Sequence, residues 1–366
     1  MFESEYEVMI GDCLDTLRSV ETGSVNCIVT SPPYFGLRQY SDEEGEIGIE
    51  ETPEDYIESL VKVFDECWRV LHDTGTLWLN LGDTYAASGG GRQTADRRAA
   101  SGMVKKNAGK SFKRIPTGGR KPKDLIGVPW LVAFALQKAG WYLRKDIIWN
   151  KPAVMPEPVK DRPVSSHEHI FLFAKSKSYF YDREAIKDPT QYKRDVWNIV
   201  PRPWSGAHFA IYPSELAETC LLAGTSANGR CSKCYLQYER VVEKTMPKNA
   251  DSLHAVGGME TRHPNPRRGQ QRVTSNGTIP SYIPIKYKTT GWQVKCDCEA
   301  EVEPSVVLDP FGGSGTTAGA SIKFGRRAII CELNPEYAKV IPDRIAHIMG
   351  VKNPDHTTGF DEWFGN

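Results

Sequence analysis

Ser31 follows the apolar run 25–29 and opens the tetrapeptide Ser31-Pro32-Pro33-Tyr34. These residue types in this order suit chemistry on an aromatic amine. Such an amine is a poor nucleophile because its lone pair is delocalised into the ring. Hydrogen-bond acceptors aimed at both N–H groups restore the lone pair by drawing the nitrogen toward tetrahedral geometry. Ser31 Oγ and the Pro32 carbonyl suit that role, since proline stiffens the loop and frees its carbonyl from strand pairing. Pro33 continues the rigid turn, and Tyr34 can stack on the face of a flat ring. A rigid turn after a strand is the plainer alternative.

A second motif, Asp309-Pro310-Phe311-Gly312-Gly313-Ser314-Gly315-Thr316-Thr317, follows the apolar residues 306–308 near the other end of the chain. Its glycines let backbone approach a ligand closely. No Gly-Lys-Ser/Thr occurs in it, which excludes a phosphate-cradling Walker loop. Glu332 ends the next strand, where a carboxylate can accept from two ribose hydroxyls. Asp309 places a second carboxylate beside the amino-acid part of a ligand. The alternative is a tight turn in an α/β fold that serves a dinucleotide.

The elements that must position these residues alternate. Residues 6–10 read as a strand ending at Gly11-Asp12, and 27–29 as a second strand. Thr52 caps a helix with Pro53 and two acids in its first turn, and Tyr56, Leu60, Phe64, Cys67, Trp68 and Leu71 form its apolar face. Gly75 is expected to stop that helix before a strand at 76–81. A helix over 129–138 and strands at 142–149 and 169–174 follow. After an irregular stretch from 229 to about 304 the pattern resumes: strand 306–308, helix 316–324, strand 327–331, helix 335–348. Strand–helix alternation at this spacing predicts an α/β fold with a doubly wound, mostly parallel sheet. Ligands collect at the carboxyl ends of such strands, and Asp12, Ser31, Asp309 and Glu332 all fall there.

Together the two motifs resemble those of the beta group of DNA amino-methyltransferases, in which the chemistry motif precedes the cofactor motif. Asn80-Leu81-Gly82-Asp83-Thr84-Tyr85, Asp146-Ile147-Ile148-Trp149-Asn150-Lys151-Pro152 and His167-Glu168-His169-Ile170 look like companion blocks of that family. The resemblance implies a Rossmann-like, circularly permuted fold and S-adenosyl-L-methionine as methyl donor. Asp12, Pro213, Leu216, Asp309, Phe311, Gly312, Gly313, Ser314, Gly315, Thr316 and Glu332 would hold the donor, with Asp12 at the adenine and Pro213 and Leu216 at the methionine end. Ser31, Pro32, Pro33 and Tyr34 would be catalytic. The substrate would be double-stranded DNA with its target base flipped into the pocket. Ser at position 31 resembles the cytosine-N4 enzymes, whereas adenine-N6 relatives more often carry Asp or Asn there. No Pro-Cys pair exists for the covalent route to carbon-5 of cytosine. A protein glutamine-amide methyltransferase and a zinc-containing DNA-binding protein without activity are more distant readings. A cognate restriction endonuclease is an expected partner, and no oligomeric state is implied.

Four of the nine cysteines pair as Cys231-x-x-Cys234 and Cys296-x-Cys298, a set that could close a structural, tetrahedral zinc site. Tyr235 stands where such a knuckle commonly has Gly. The other five sit singly and read as small buried hydrophobes. The net charge of zero hides a basic segment: residues 92–123 hold eleven Lys or Arg against one acid. Arg97, Arg98, Lys105, Lys106, Lys110, Lys113 and Arg114 in that segment, with Arg267 and Arg268 farther on, are expected to contact DNA phosphates. The expected organisation is a catalytic half (1–84), a basic loop (85–124), continued core (125–228), a zinc-stapled recognition insertion (229–304), a cofactor half (305–350) and a tail (351–366). An acidic start without an apolar core and the absence of long apolar runs point to the cytoplasm and away from membranes.

Overall fold

A computed structural model describes residues 5–36, 46–86, 119–154, 157–188, 191–202, 204, 211–245 and 286–351. In chain order the elements are β1 (Tyr6–Ile10), α1 (Cys13–Leu17), β2 (Val25–Thr30), α2 (Pro53–Val70), β3 (Leu71–Leu81), α3 (Val128–Lys138), β4 (Tyr142–Asn150), β5 (His167–Ala174) and β6 (Val196–Asn198). There follow α4 (Ser214–Gly224), β7 (Arg230–Cys231), β8 (Glu239–Thr245), β9 (Lys286–Gln293), β10 (Val302–Glu303), β11 (Val306–Asp309), α5 (Thr316–Lys323), β12 (Arg327–Glu332), α6 (Pro335–Ala338) and α7 (Ile341–Met349).

Eight strands form one sheet in the order β1-β12-β11-β2-β3-β5-β4-β6. The run from β1 to β3 is parallel throughout, and β5 lies antiparallel to both β3 and β4. The last strands of the chain, β11 and β12, thus sit between its first two. This is the Rossmann-like, permuted arrangement, and its order reverses between β11 and β2, where a crevice opens at the carboxyl ends.

Side chains of β2 alternate between two cores. Ile28 joins Leu60, Phe64 and Leu136 under α2 and α3, whereas Cys27 and Val29 join Leu216, Ala217 and Cys220 of α4 on the other face. Helix α2 forms where Thr52 Oγ1 accepts from the Asp55 N–H at 3.1 Å and Pro53 occupies the first turn. Its buried Tyr56, Leu60, Val63, Phe64, Cys67 and Val70 fall on one stripe. Withdrawing each large apolar side chain of that stripe from water contributes about 1.5–3 kcal/mol before ordering entropy is subtracted.

Three sequence expectations are corrected. Helix α2 ends without Gly75: Leu71 already has extended angles (φ −71°, ψ 135°), and Gly75 lies inside β3. There an added Cβ would come within 2.5 Å of the Leu71 side chain. The expected helix 335–348 is two helices, because Pro342 has no N–H to continue the ladder from α6. The stretch 229–304 is not wholly irregular. Its described residues form two antiparallel ribbons, β7 with β10 and β8 with β9. No described helix is long and apolar enough to cross a membrane.

Candidate active site

Asp309 ends β11 and is 1% exposed. Its Oδ1 accepts from Thr30 Oγ1 at 2.6 Å and from the Phe311 N–H at 3.1 Å. Its Oδ2 accepts from Thr317 Oγ1 at 2.6 Å and from the Tyr212 hydroxyl at 3.0 Å. Burial pushes this carboxyl above the ordinary Asp range, and the four donors hold it down in part. The bond from Thr30 matters most for the geometry. It joins the end of β2 to the end of β11 and sets Ser31 beside the glycine loop.

That loop turns sharply into α5 at Gly315, whose φ of +85° is left-handed; an added Cβ there would also lie 2.7 Å from Ile341 Cγ2. Ser314 and Thr316 are buried, and Phe311 packs on the core edge. Glu332, at the end of β12, is 8% exposed. Its two oxygens accept from the Gly313 N–H at 2.7 Å and the Asn334 N–H at 2.9 Å, which fasten the loop to the next strand. Asp12 caps α1 through a 2.7 Å bond from the Leu14 N–H. Pro213 caps α4, and Leu216 is sealed in the core at 1% exposure.

Burial raises the Glu332 carboxyl to about 7, against the two N–H bonds that lower it. Between about 4.5 and about 7 the folded chain keeps a proton that the unfolded chain has released. Its contribution to stability is therefore full below 4.5 and declines as pH rises to 7. A ligand donating hydroxyls to this carboxylate has the opposite preference. Affinity for a ribose-bearing ligand should rise about tenfold from pH 6 to pH 8, as the ionised fraction climbs. Calorimetric titration of wild type and Glu332→Gln checks this; a slope equal in both would refute it.

The pocket beside Ser31 is walled by side chains from β3, β5 and the residue just after β4. The Tyr34 hydroxyl donates to Glu168 Oε2 at 2.7 Å and lies 3.3 Å from both Ser31 Oγ and Asn80 Oδ1. Asn80 Nδ2 donates to Glu168 Oε2 at 3.1 Å, and Lys151 pairs with Glu168 Oε1. Burial, then the Glu168 charge, push the Tyr34 hydroxyl well above its ordinary range, so it stays protonated. The turn itself is pinned by the Tyr56 hydroxyl, which donates to the Pro33 carbonyl at 2.8 Å. Gly82 leaves room for the Tyr34 ring: a Cβ there would meet its Cε2 at 2.7 Å. The turn 31–34 and the glycine loop therefore leave neighbouring parallel strands at the same end of the sheet, joined by the bond from Thr30 to Asp309. Sequence reasoning missed the clamp formed by Thr30, Thr317 and Tyr212; the position of Tyr212 just before Pro213 was its only local signal.

Cys231, Cys234, Cys296 and Cys298 bring their sulfurs within 4.8 Å of one another. Tyr235 takes the left-handed conformation (φ +62°) that glycine would supply, held by its N–H bond to the Cys231 carbonyl at 2.9 Å. Arg230 lies over its ring at 4.4 Å and pairs with Glu303 at 2.7 Å. Asn26, near the start of β2, donates to the Tyr235 carbonyl at 2.9 Å. The cluster thus docks at the amino ends of the strands, the length of β2 (roughly 15–20 Å) from Ser31. The expected phosphate contacts Arg97, Arg98, Lys105, Lys106, Lys110, Lys113, Arg114, Arg267 and Arg268 lie outside the described residues.

Comparison with known proteins identifies the family. A family model described as DNA methylase matches residues 25–231 and 300–343. The type II methyltransferase M.SmaI of Serratia marcescens is 48% identical over 348 residues, covering 93% of this chain and 90% of the relative. M.Cfr9I of Citrobacter freundii, also a type II methyltransferase, is 49% identical over 222 residues, covering 59% of this chain and 71% of that one. Among solved structures, the PvuII DNA methyltransferase, described as cytosine-N4-specific, superposes with a TM-score of 0.54 at 15% identity, covering 95% of this chain and 94% of that one. At that identity the likeness concerns the fold.

Proposed function

The chain belongs to the DNA methylase family and is an S-adenosylmethionine-dependent DNA methyltransferase; within that activity we propose that it methylates the N4 amine of cytosine at a specific sequence in duplex DNA. The observation that supports this reading is the 2.6 Å bond from Thr30 to Asp309, which joins the strand end before Ser31 to the strand end before the glycine loop. Serine at this position favours cytosine N4; adenine N6 is the alternative.

The crevice fits the donor: a carboxylate for ribose at Glu332, a buried carboxylate at Asp309 and a glycine turn without side chains, which lets a ligand approach the backbone closely. Asp12, Pro213, Phe311, Gly312, Gly313, Ser314 and Thr316 complete the proposed cradle, and Leu216, sealed in the core, supports it from behind and does not line it. S-adenosylmethionine, when bound, supplies an electrophilic methyl group. Ser31 Oγ and the Pro32 carbonyl accept from the two protons of a flipped base's amine, and Tyr34 offers its ring face. No protein nucleophile is needed. The basic loop 85–124 and the insertion 229–304 are proposed to hold the duplex. Because the relatives named above are type II methyltransferases, a restriction endonuclease of the same specificity is the proposed partner.

Transfer of tritiated methyl from S-adenosylmethionine to unmodified, PCR-amplified DNA of mixed sequence tests the substrate. Label that remains with DNA after protease treatment is expected; label in protein alone would overturn the reading.

The cysteine cluster is proposed to hold a structural zinc ion. Metal analysis of purified protein should find about one zinc per chain, and Cys234→Ser should lose it together with several degrees of thermal stability. Protein free of zinc at full stability would contradict this.

A further inference from the structure

The amine pocket contains a hydrogen-bond chain whose direction can be deduced. Asn80 Nδ2 faces two acceptors, Glu168 Oε2 at 3.1 Å and the His169 carbonyl at 3.2 Å, which turns its Oδ1 toward Tyr34. The Tyr34 hydroxyl therefore meets two acceptors, Asn80 Oδ1 at 3.3 Å and Glu168 Oε2 at 2.7 Å. It has one proton, and the nearer, charged oxygen takes it. Ser31 Oγ, 3.3 Å from that hydroxyl, must then be the donor to it. With its proton given to Tyr34, Ser31 Oγ keeps its lone pairs for accepting. Glu168 itself is anchored by Lys151, whose ammonium also lies 4.3 Å from the centre of the Trp149 ring.

We propose that Glu168 is a positioning residue that acts through Tyr34 to orient Ser31, so that Ser31 Oγ accepts from the target amine and does not donate to it. A serine hydroxyl alone can do either. A donor aimed at the amine nitrogen would occupy the lone pair that must attack the methyl group; an acceptor aimed at its proton releases that pair. The carboxylate at the end of the chain decides between the two, and each hydroxyl it polarises becomes a better acceptor. A glutamine there could present its NH₂ to Tyr34 and let the chain reverse. The inference rests on the amine-methylation reading above.

The test compares wild type, Glu168→Gln, Glu168→Asp, Tyr34→Phe and the Glu168→Gln/Tyr34→Phe double variant. Single-turnover methyl transfer to unmodified PCR-amplified DNA and the affinity for S-adenosylhomocysteine are both measured. Glu168→Gln should slow transfer about 10- to 100-fold with S-adenosylhomocysteine affinity within about twofold, and Glu168→Asp should recover part of the rate. The double variant should be no slower than the slower single variant, because both break one chain. Unchanged transfer in Glu168→Gln, or losses that multiply in the double variant, would overturn the proposal. Tyr34→Phe keeps the ring and removes only the hydroxyl, so wild-type transfer in that variant would overturn it even if Glu168→Gln failed to fold. Wild-type protein that labels no DNA would instead refute the underlying amine reading.

Discussion

Replacing Ser31 with alanine should reduce methyl transfer about 100- to 1,000-fold while changing S-adenosylhomocysteine affinity by no more than about twofold. Ser31 Oγ bonds to the Tyr34 hydroxyl at a long 3.3 Å, so its removal costs the folded state little, about 1 kcal/mol or less. The loss falls instead on the moment of reaction. The amine nitrogen gains positive charge as its lone pair leaves the ring, and an acceptor fixed beside its proton stabilises that state more than the ground state. The effect should therefore appear in kcat with KM for DNA nearly unchanged. Steady-state kinetics and a thermal melt on the same preparation separate the two. A rate within threefold of wild type at unchanged Tm would remove Ser31 from the chemistry.

The second large effect is expected at Asp309. Its carboxylate gathers two hydroxyl groups by 2.6 Å bonds, a third at 3.0 Å and the Phe311 N–H at 3.1 Å, all in a place almost sealed from water. Asp309→Ala leaves those donors facing a void. At about 1–3 kcal/mol for each buried group that finds no new partner, a total loss of about 3–5 kcal/mol is expected after relaxation. Asp309→Asn should cost less at neutral pH, because it keeps one acceptor and removes a charge that burial disfavours. Urea unfolding monitored by tryptophan fluorescence measures both. Equal stability of Asp309→Ala and wild type would show that the bond from β2 to β11 does not hold the crevice together. Both variants should also weaken cofactor binding, since Thr30 and Thr317 would be free to move.

Much of this site was legible in the chain because strand ends are. Short apolar runs mark where β2, β11 and β12 stop, and the residue types at or just after their ends, Ser31, the glycines and Glu332, can be assigned chemistry before any packing is known. The cysteine pairs were legible for a similar reason, as metal-ligand spacing is local. What could not be read depends on aim. Thr30, Thr317 and Tyr212 are ordinary hydroxyl residues until the fold points all three at Asp309. Glu168 and Lys151 were recognisable only as parts of family-like blocks, and nothing local tells that they meet Tyr34. The ribbons β7–β10 and β8–β9 are polar and interrupted by Gly and Pro-rich sequence, so they lack the apolar alternation that announced the central strands. The breaks at Leu71 and between Ala338 and Ile341 show the remaining limit: a helix period persists past the residue at which the backbone has already turned.

The most direct measurement is mass spectrometry of nucleosides from unmodified DNA of mixed sequence, after incubation with the purified protein and S-adenosylmethionine. N4-methylcytosine is the predicted product, formed about 100- to 1,000-fold more slowly in a parallel reaction with Ser31→Ala. DNA that carries N6-methyladenine and no N4-methylcytosine would contradict the assignment drawn from Ser31.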